Sequence, residues 1–137
     1  MTGITALDEL LRTIKPELLA EEYVFCSVQE SLAELLALQP IATFVEAEGL
    51  TLVLKKTAAQ GAGLGFSGTF RQITLTVHSS LTAVGLTAAV ASALAAKGIS
   101  ANVIAAYYHD HIFVPSADAE AALSALQALS GEGLADF

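Results

Sequence analysis

The stretch QITLTVHSSLTAVGLTAAVASALAAKG, residues 72–98, decides the fold. In residues 72–77, Ile73, Leu75 and Val77 alternate with polar residues, which is the two-residue period of a half-buried strand. Residues 82–97 are rich in alanine, and Gly98 follows in the position that commonly ends a helix. The stretch therefore predicts a strand, a short loop and a helix.

Two more strands and a helix follow this stretch. Residues 101–108 and 111–114 predict strands that flank His109-Asp110, and Ser116 fits the N-cap of a last helix. The order strand, helix, strand, strand, helix predicts an α+β fold of the ferredoxin-like type, with an antiparallel sheet backed by helices. Since this half lacks a closing strand, we expect an N-terminal strand at residues 23–28 to complete its sheet.

The N-terminal half gives weaker signals of the same kind. Helices are predicted at residues 4–14, 31–38 and 57–64, and strands at residues 20–28, 41–48 and 50–54. The last two strands meet at Glu48-Gly49, which suggests a hairpin. Because glycines are concentrated between residues 61 and 68, we expect a linker there and two units, at residues 1–67 and 68–137.

Composition limits the classes of partner. Apolar residues make up 54% of the chain and charged residues 15%, and the net charge of -8 comes from 14 acidic and 6 basic residues. No basic stripe is present for nucleic acid or for an anionic membrane surface, so neither is expected as a partner. Because the charged fraction is so low, we expect part of the apolar surface to face a partner chain. The protein is therefore predicted to be a homo-oligomer, most simply a dimer. A large shared core would account for the same composition.

The cellular compartment is predicted from the cysteine count and the first residues. Cys26 is the single cysteine, so the chain cannot form an internal disulfide, and its strand-like surroundings predict a buried residue. The first eleven residues include Asp8 and Glu9 and lack the basic start and long apolar stretch of a signal peptide. We therefore expect a cytoplasmic protein.

The loop at residues 79–85 is the candidate binding loop. It precedes a predicted helix N-terminus, where free backbone N–H groups favour an anion such as a carboxylate. Ser79, Ser80 and Thr82 add hydroxyl donors, and Gly85 lets the backbone approach a ligand closely. The structural alternative is that one of these hydroxyls only caps the helix.

The string His109-Asp110-His111 allows three interpretations. Its position between two predicted strands favours a turn in which Asp110 bonds to the backbone. On a strand, His109 and His111 would share a face and could contact a ligand or bind a metal, for which His78 is the only other histidine. A hydrolytic site built from Ser79 or Ser80 with His78 and Asp110 lacks any visible triad geometry, so we expect no catalysis and no cofactor.

The segment from Gly85 to Ser100 resembles the signature of the ACT domain, in which a glycine opens an alanine-rich helix and Gly-Ile leads into the next strand. The whole chain looks like a tandem-ACT family whose members carry Val-His-Ser-Ser-Leu and Tyr-Tyr-His-Asp-His-Ile-Phe-Val-Pro. These strings stand here at residues 77–81 and 107–115, and residues 48–54 match as well.

The resemblance implies two ACT units and a regulatory protein that binds an amino acid or a similar metabolite, without catalysis. It implies ligand contacts from the loop and from the neighbouring strands. These candidate residues are Ser79, Ser80, Leu81, Thr82, Val84, Gly85, Asn102, His109 and Asp110. The loop lacks the acidic residue and the proline that often precede the family's glycine, and Ser100 stands where an asparagine is frequent. The alternative function is a protein–protein interaction module, in which the helix at residues 82–97 packs against another chain and no metabolite binds.

Overall fold

The computed structural model describes residues 6–76 and 85–131, which form five α-helices, six strands and two short 3-10 helices. The elements are α1 (Ala6–Thr13), β1 (Lys15–Val28), α2 (Leu32–Leu35), a 3-10 helix (Leu36–Leu38), β2 (Ala42–Glu46), β3 (Gly49–Lys55), α3 (Lys56–Gly61), β4 (Phe70–Thr76), α4 (Leu86–Ala95), β5 (Asn102–Ala105), β6 (His109–Pro115), a 3-10 helix (Ser116–Asp118) and α5 (Ala119–Leu129). Mixed α+β architecture with antiparallel strands is thereby confirmed.

Unit 1 consists of Met1–Ala20 and Arg71–Phe137. Its strands hydrogen-bond in the order β1-β4-β6-β5, with β1 contributing its first residues, Lys15 to Ala20. The Arg71 Nε donates to the Leu19 carbonyl oxygen at 2.9 Å. With β1 in the fourth-strand position, the order is that of a ferredoxin-like sheet.

An N-terminal strand therefore completes this sheet, as the sequence predicts, but the predicted residues are wrong. Tyr23–Val28 pairs with β3 instead, in the register Tyr23 to Lys55 and Val28 to Leu50. The sequence pattern missed the first part of β1 because Pro16 and Glu17 interrupt it and Leu18, Leu19 and Ala20 do not alternate with polar residues. Proline is compatible with the first residues of a strand, where its missing N–H breaks no ladder bond.

The core of unit 1 lies between its sheet and the two long helices. Val90 and Leu94 of α4 and Leu126 of α5 are at most 1% exposed. They pack with the apolar faces of the strands, where Ile73 and Ile112 are completely buried. The two-residue period of the strands turns the alternate side chains, including Gln72 and His111, to the opposite face.

Unit 2 comprises Glu21–Phe70, with strand order β2-β3-β1. The hairpin predicted at Glu48-Gly49 is confirmed, since Glu46 of β2 pairs with Gly49 of β3. A Cβ at Gly49 would lie 2.7 Å from the Val28 carbonyl oxygen, so only glycine fits beside the end of β1. The burial predicted for Cys26 is confirmed as well, because its side chain is 3% exposed within the unit 2 core.

The last helix begins later than the sequence predicts. Ser116 opens a 3-10 helix rather than capping α5, whose N-cap is Asp118. The chain leaves β6 directly into the tighter turn, which postpones α-helical hydrogen bonding by three residues. Gly98, with φ of 73°, follows the end of α4 as predicted.

The two packing units do not correspond to two consecutive segments of the sequence. Unit 1 gathers the first twenty residues with the C-terminal half. The units proposed at residues 1–67 and 68–137 therefore stay a prediction. Across residues 6–76 and 85–131, no helix combines the length and apolar character that crossing a bilayer requires.

Candidate functional site

Gly85 holds the N-terminus of α4 in a conformation that favours glycine. Its φ is 92°, in the left-handed region, and its carbonyl oxygen accepts a hydrogen bond from the Ala89 N–H at 2.9 Å. A Cβ at this position would come within 3.2 Å of Leu7 Cδ2 on α1. Backbone conformation and the neighbouring helix therefore both disfavour a side chain at the start of α4.

The remaining residues of the candidate loop lie outside the described residues. They are Ser79, Ser80, Leu81, Thr82 and Val84, together with His78. Their predicted roles stay predictions. The elements on either side are described: β4 ends at Thr76, and α4 begins at Leu86.

One end of the unit 1 sheet carries both the end of β4 and the candidate residues of β6. Because the sheet is antiparallel, the ends of β4 and β5 lie at the same end as the beginning of β6. That end carries Thr76, Ala105 and His109. The end of β4, which precedes the candidate loop, and the first residues of β6 therefore share one end of the unit 1 sheet.

The turn predicted at His109-Asp110 is wrong, because both residues belong to β6. Asp110 pairs with Ala105, and the Ala106 N–H donates to the His109 carbonyl oxygen at 3.0 Å. The hairpin tip is Tyr107-Tyr108, whose side chains are 74% and 76% exposed and whose rings meet edge to face. No glycine or asparagine marks this turn, so turn chemistry alone could not locate it.

The His111 side chain contacts two polar side chains of β4, which also contact each other. Gln72 Nε2 donates to His111 Nδ1 at 2.9 Å and to Thr74 Oγ1 at 3.1 Å. The Thr74 hydroxyl also lies 3.1 Å from His111 Nδ1. With the Gln72 amide nitrogen turned towards the ring, His111 Nδ1 accepts, which is the arrangement of a neutral imidazole.

His109 shares the strand face of His111, and their ring centroids lie 6.3 Å apart at 90°. Its Nδ1 is buried and has no hydrogen-bond partner among the described residues. A buried polar atom without a partner is costly, so a ligand or another group that bonds to it would gain free energy. This atom is the least satisfied polar group in the described part of the site.

Charge is disfavoured at this end of β6. Burial raises the pKa of Asp110, and the neighbouring His111 opposes this in smaller measure. Burial, followed by His109, lowers the pKa of His111, while Asp110 acts in the opposite direction. A cation placed beside Asp110 would restore the stability of its carboxylate form.

Asn102 is placed elsewhere. It begins β5, about 10 Å along the strand from Ala105 at the usual rise per residue. Its side-chain Nδ2 donates to the carbonyl oxygen of Phe113, the residue paired with it, at 3.3 Å. The structure thus brings His109 and Asp110 to the loop end of the sheet but leaves Asn102 at the opposite end.

Sequence reasoning missed the contribution of Gln72 and Thr74. Their alternation with Ile73 and Leu75 was visible as a polar strand face, but the pairing with His111 spans 39 residues of sequence. Among the described residues, no group of three or more histidine, cysteine, aspartate and glutamate side chains could hold a metal ion.

Comparison with known proteins assigns both halves of the chain to the same family. Residues 2–71 and residues 68–128 each match the ACT domain. A crystal structure from Vibrio cholerae, of a protein of unknown function described as a possible transport protein, has 58% sequence identity and a TM-score of 0.85. That match covers 91% of this chain and 96% of the other. No curated protein matches the sequence.

More distant structures share the fold. The regulatory subunit of aspartate kinase from Thermus thermophilus has 14% identity and a TM-score of 0.64, covering 83% of this chain and 95% of that one. Clostridium acetobutylicum aspartate kinase has 8% identity and a TM-score of 0.66, covering 85% of this chain and 34% of the kinase. At these identities the likeness shows that this chain and the regulatory subunit share a fold.

Proposed function

The chain belongs to the ACT-domain family, and from that premise we propose that it is a non-catalytic regulatory protein that binds an amino acid at the loop end of unit 1. The observation that carries the proposal is the placement of two features at one end of the unit 1 sheet. These features are the α4 N-terminus at Gly85 and the half-buried Asp110, which shares its strand face with Ile112 and Val114 of the core that α4 covers.

The two charged groups of an amino acid find complementary partners there. The first N–H groups of α4 have no partner within the helix and favour a carboxylate, and Gly85 leaves them accessible. Ser79, Ser80, Leu81, Thr82 and Val84 would supply the remaining loop contacts. Asp110 would accept the ammonium group, whose charge offsets the burial that raises the pKa of this carboxyl.

Regulation would follow from a shift between conformations. A ligand can shift an equilibrium only by as much as its affinities for the two states differ. Contacts with both the α4 N-terminus and β6 would give such a difference, because only a state that holds the two elements within reach of one ligand makes both contacts. The amino acid would thereby favour one arrangement of the chain or of its partners.

We also propose that the protein works in the cytoplasm as a homodimer. Support for the dimer comes from β2, the edge strand of unit 2, where Phe44 is 71% and Val45 is 82% exposed. Exposed apolar side chains on an edge strand favour pairing with another chain. Sedimentation at several protein concentrations tests this: a monomer at all of them would contradict the dimer.

The ligand site is tested by calorimetric titration of the twenty amino acids into the wild-type protein and two variants. Asp110→Asn removes the negative charge of the ammonium acceptor and is expected to weaken binding about tenfold, the usual scale for a hydrogen bond to a charged group. Glu120→Gln is the matched control, because it removes one negative charge from an exposed position of the same unit.

Wild-type affinity in Glu120→Gln together with the loss in Asp110→Asn would support the site. Equal affinity of both variants would contradict the role of Asp110. If no amino acid binds the wild-type protein and a partner protein binds it stoichiometrically, the result would support the alternative function. The protein would then be a protein–protein interaction module without a metabolite ligand.

A further inference from the structure

Unit 2 contains a groove of about 400 Å³ between the 3-10 helix Leu36–Leu38 and α3. Ala58, Gly61 and Ala62, which have small side chains or none, form part of its wall. This volume falls in the range of pockets that hold small ligands. Its lining residues all belong to Glu21–Phe70, so the groove is separate from the candidate amino-acid site of unit 1.

The groove has one cation without an ion-pair partner. Lys55 lines it, and among the described residues no carboxylate oxygen lies within 4.0 Å of the Lys55 Nζ. The adjacent Lys56 does have a partner, since its Nζ lies 3.4 Å from Glu22 Oε1. In a chain with a net charge of -8, an unpaired lysine beside a concave surface is a local exception that favours an anion.

Gln39 lines the same groove in a strained conformation. Within the part of the chain that the structure describes, it is the one non-glycine residue with positive φ, at 52°. It also precedes Pro40, and the residue before a proline favours an extended backbone. Gln39 is the C-cap of the 3-10 helix, and its N–H donates to the Leu36 carbonyl oxygen at 3.0 Å, which fixes its backbone beside the groove.

We propose that this groove is a second ligand site, which binds a small monocarboxylate with a short apolar body. Lys55 supplies one positive charge, which matches one carboxylate, and Gln39 and Thr57 are polar residues of the same lining. Leu38, Ala58 and Ala62 provide apolar contact for the hydrocarbon part. The site does not depend on amino-acid binding by unit 1.

Hexanoate is the probe, titrated into the full-length 15N-labelled protein and followed by amide chemical shifts. The uncharged hexanamide, which has nearly the same shape, and inorganic phosphate serve as comparison ligands. We expect saturable shifts centred on residues 37–39 and 55–62, with hexanoate binding about tenfold more tightly than hexanamide because of the charged contact. Phosphate, which has no apolar body, is expected to give no saturable shifts there.

Two adjacent lysines provide a matched pair of variants. Lys55→Gln is expected to raise the dissociation constant of hexanoate about tenfold, whereas Lys56→Gln, with the same loss of charge one residue away, should change it less than about twofold. Ala62→Leu fills the groove from an exposed position and is expected to abolish binding in a protein that stays folded.

Equal losses in both lysine variants would reduce the effect to general electrostatics and overturn the site. So would hexanoate binding that survives Ala62→Leu, equal binding of hexanamide, saturable phosphate binding at the same residues, or no saturable shifts in unit 2. Amino-acid binding in unit 1 is measured by separate resonances, so each site can fail without the other.

Discussion

At the scale of single residues, burial has its clearest effect on the pKa of His111. Its neutral Nδ1 accepts from Gln72, and burial and His109 lower its pKa. Protonation would place a proton where an acceptor is needed. A group whose pKa is lowered by folding contributes stability above its unfolded pKa, about 6.5 for histidine, and loses that contribution as the pH falls through the folded pKa.

We therefore expect His111→Gln to reduce the pH dependence of stability below about pH 6.5. Glutamine can accept a hydrogen bond but does not titrate in this range. Urea unfolding of both proteins at a series of pH values gives the measurement. The free energy of unfolding of the wild-type protein should fall more steeply on acidification, whereas parallel curves would show that His111 does not contribute.

Asp110 acts with the opposite sign and remains in both proteins. Its pKa is raised by burial, so its contribution is fully present below the ordinary pKa of a carboxyl and is lost as the pH rises through the raised value. Because both proteins retain this residue, the difference between their curves reports mainly on His111.

At the scale of elements, the start of α4 is expected to be more sensitive than its end. Gly85 and Gly98 both have positive φ, at 92° and 73°, so alanine is strained at either position. A Cβ at Gly85 would also meet Leu7 at 3.2 Å, whereas a Cβ at Gly98 meets nothing within 4 Å. Gly98→Ala is thus a control for the backbone effect alone.

Gly85→Ala should destabilise the protein more than Gly98→Ala, which is expected to cost about 1 kcal/mol. It should also weaken amino-acid binding, while Gly98→Ala leaves the affinity unchanged. Adding Leu7→Ala to Gly85→Ala should recover part of the lost stability, which a double-mutant cycle measures. Additive effects of the two substitutions would contradict the contact between Leu7 and position 85.

The elements also show where sequence reasoning succeeds. Helix α4 with its terminal Gly98, strand β4 and the β2–β3 hairpin follow from local periodicity and turn glycines. The tip at Tyr107-Tyr108 does not, because aromatic residues favour strands and nothing local marks the turn. The Gln72–His111 contact is likewise invisible locally, since it depends on the pairing of distant strands.

At the scale of the whole chain, unit 1 needs residues from both termini. Ile14 is 3% exposed in its core, and β1 supplies the fourth strand of its sheet. A fragment of residues 68–137 would lack both and leave β4 without its neighbour. The sequence indicated this need because it lacked a closing strand, although it placed the strand several residues too late.

We expect residues 68–137 alone to show no cooperative thermal unfolding and poor dispersion of amide resonances. The control is the same fragment joined through a flexible Gly/Ser linker to residues 1–20, which restores the strand and α1 and is expected to fold. Circular dichroism and NMR spectra decide between them. A stable, well-dispersed fragment of residues 68–137 would contradict the shared use of β1.

The central claim, that this ACT-domain protein binds an amino acid, is tested most directly by a thermal-shift screen of the full chain against all twenty. A ligand that binds only the folded state, at about 100 times its dissociation constant, adds about 2.7 kcal/mol to the free energy of unfolding. Our account predicts that one or a few amino acids raise Tm by several degrees while common nucleotides do not. An unchanged Tm with every amino acid would contradict it.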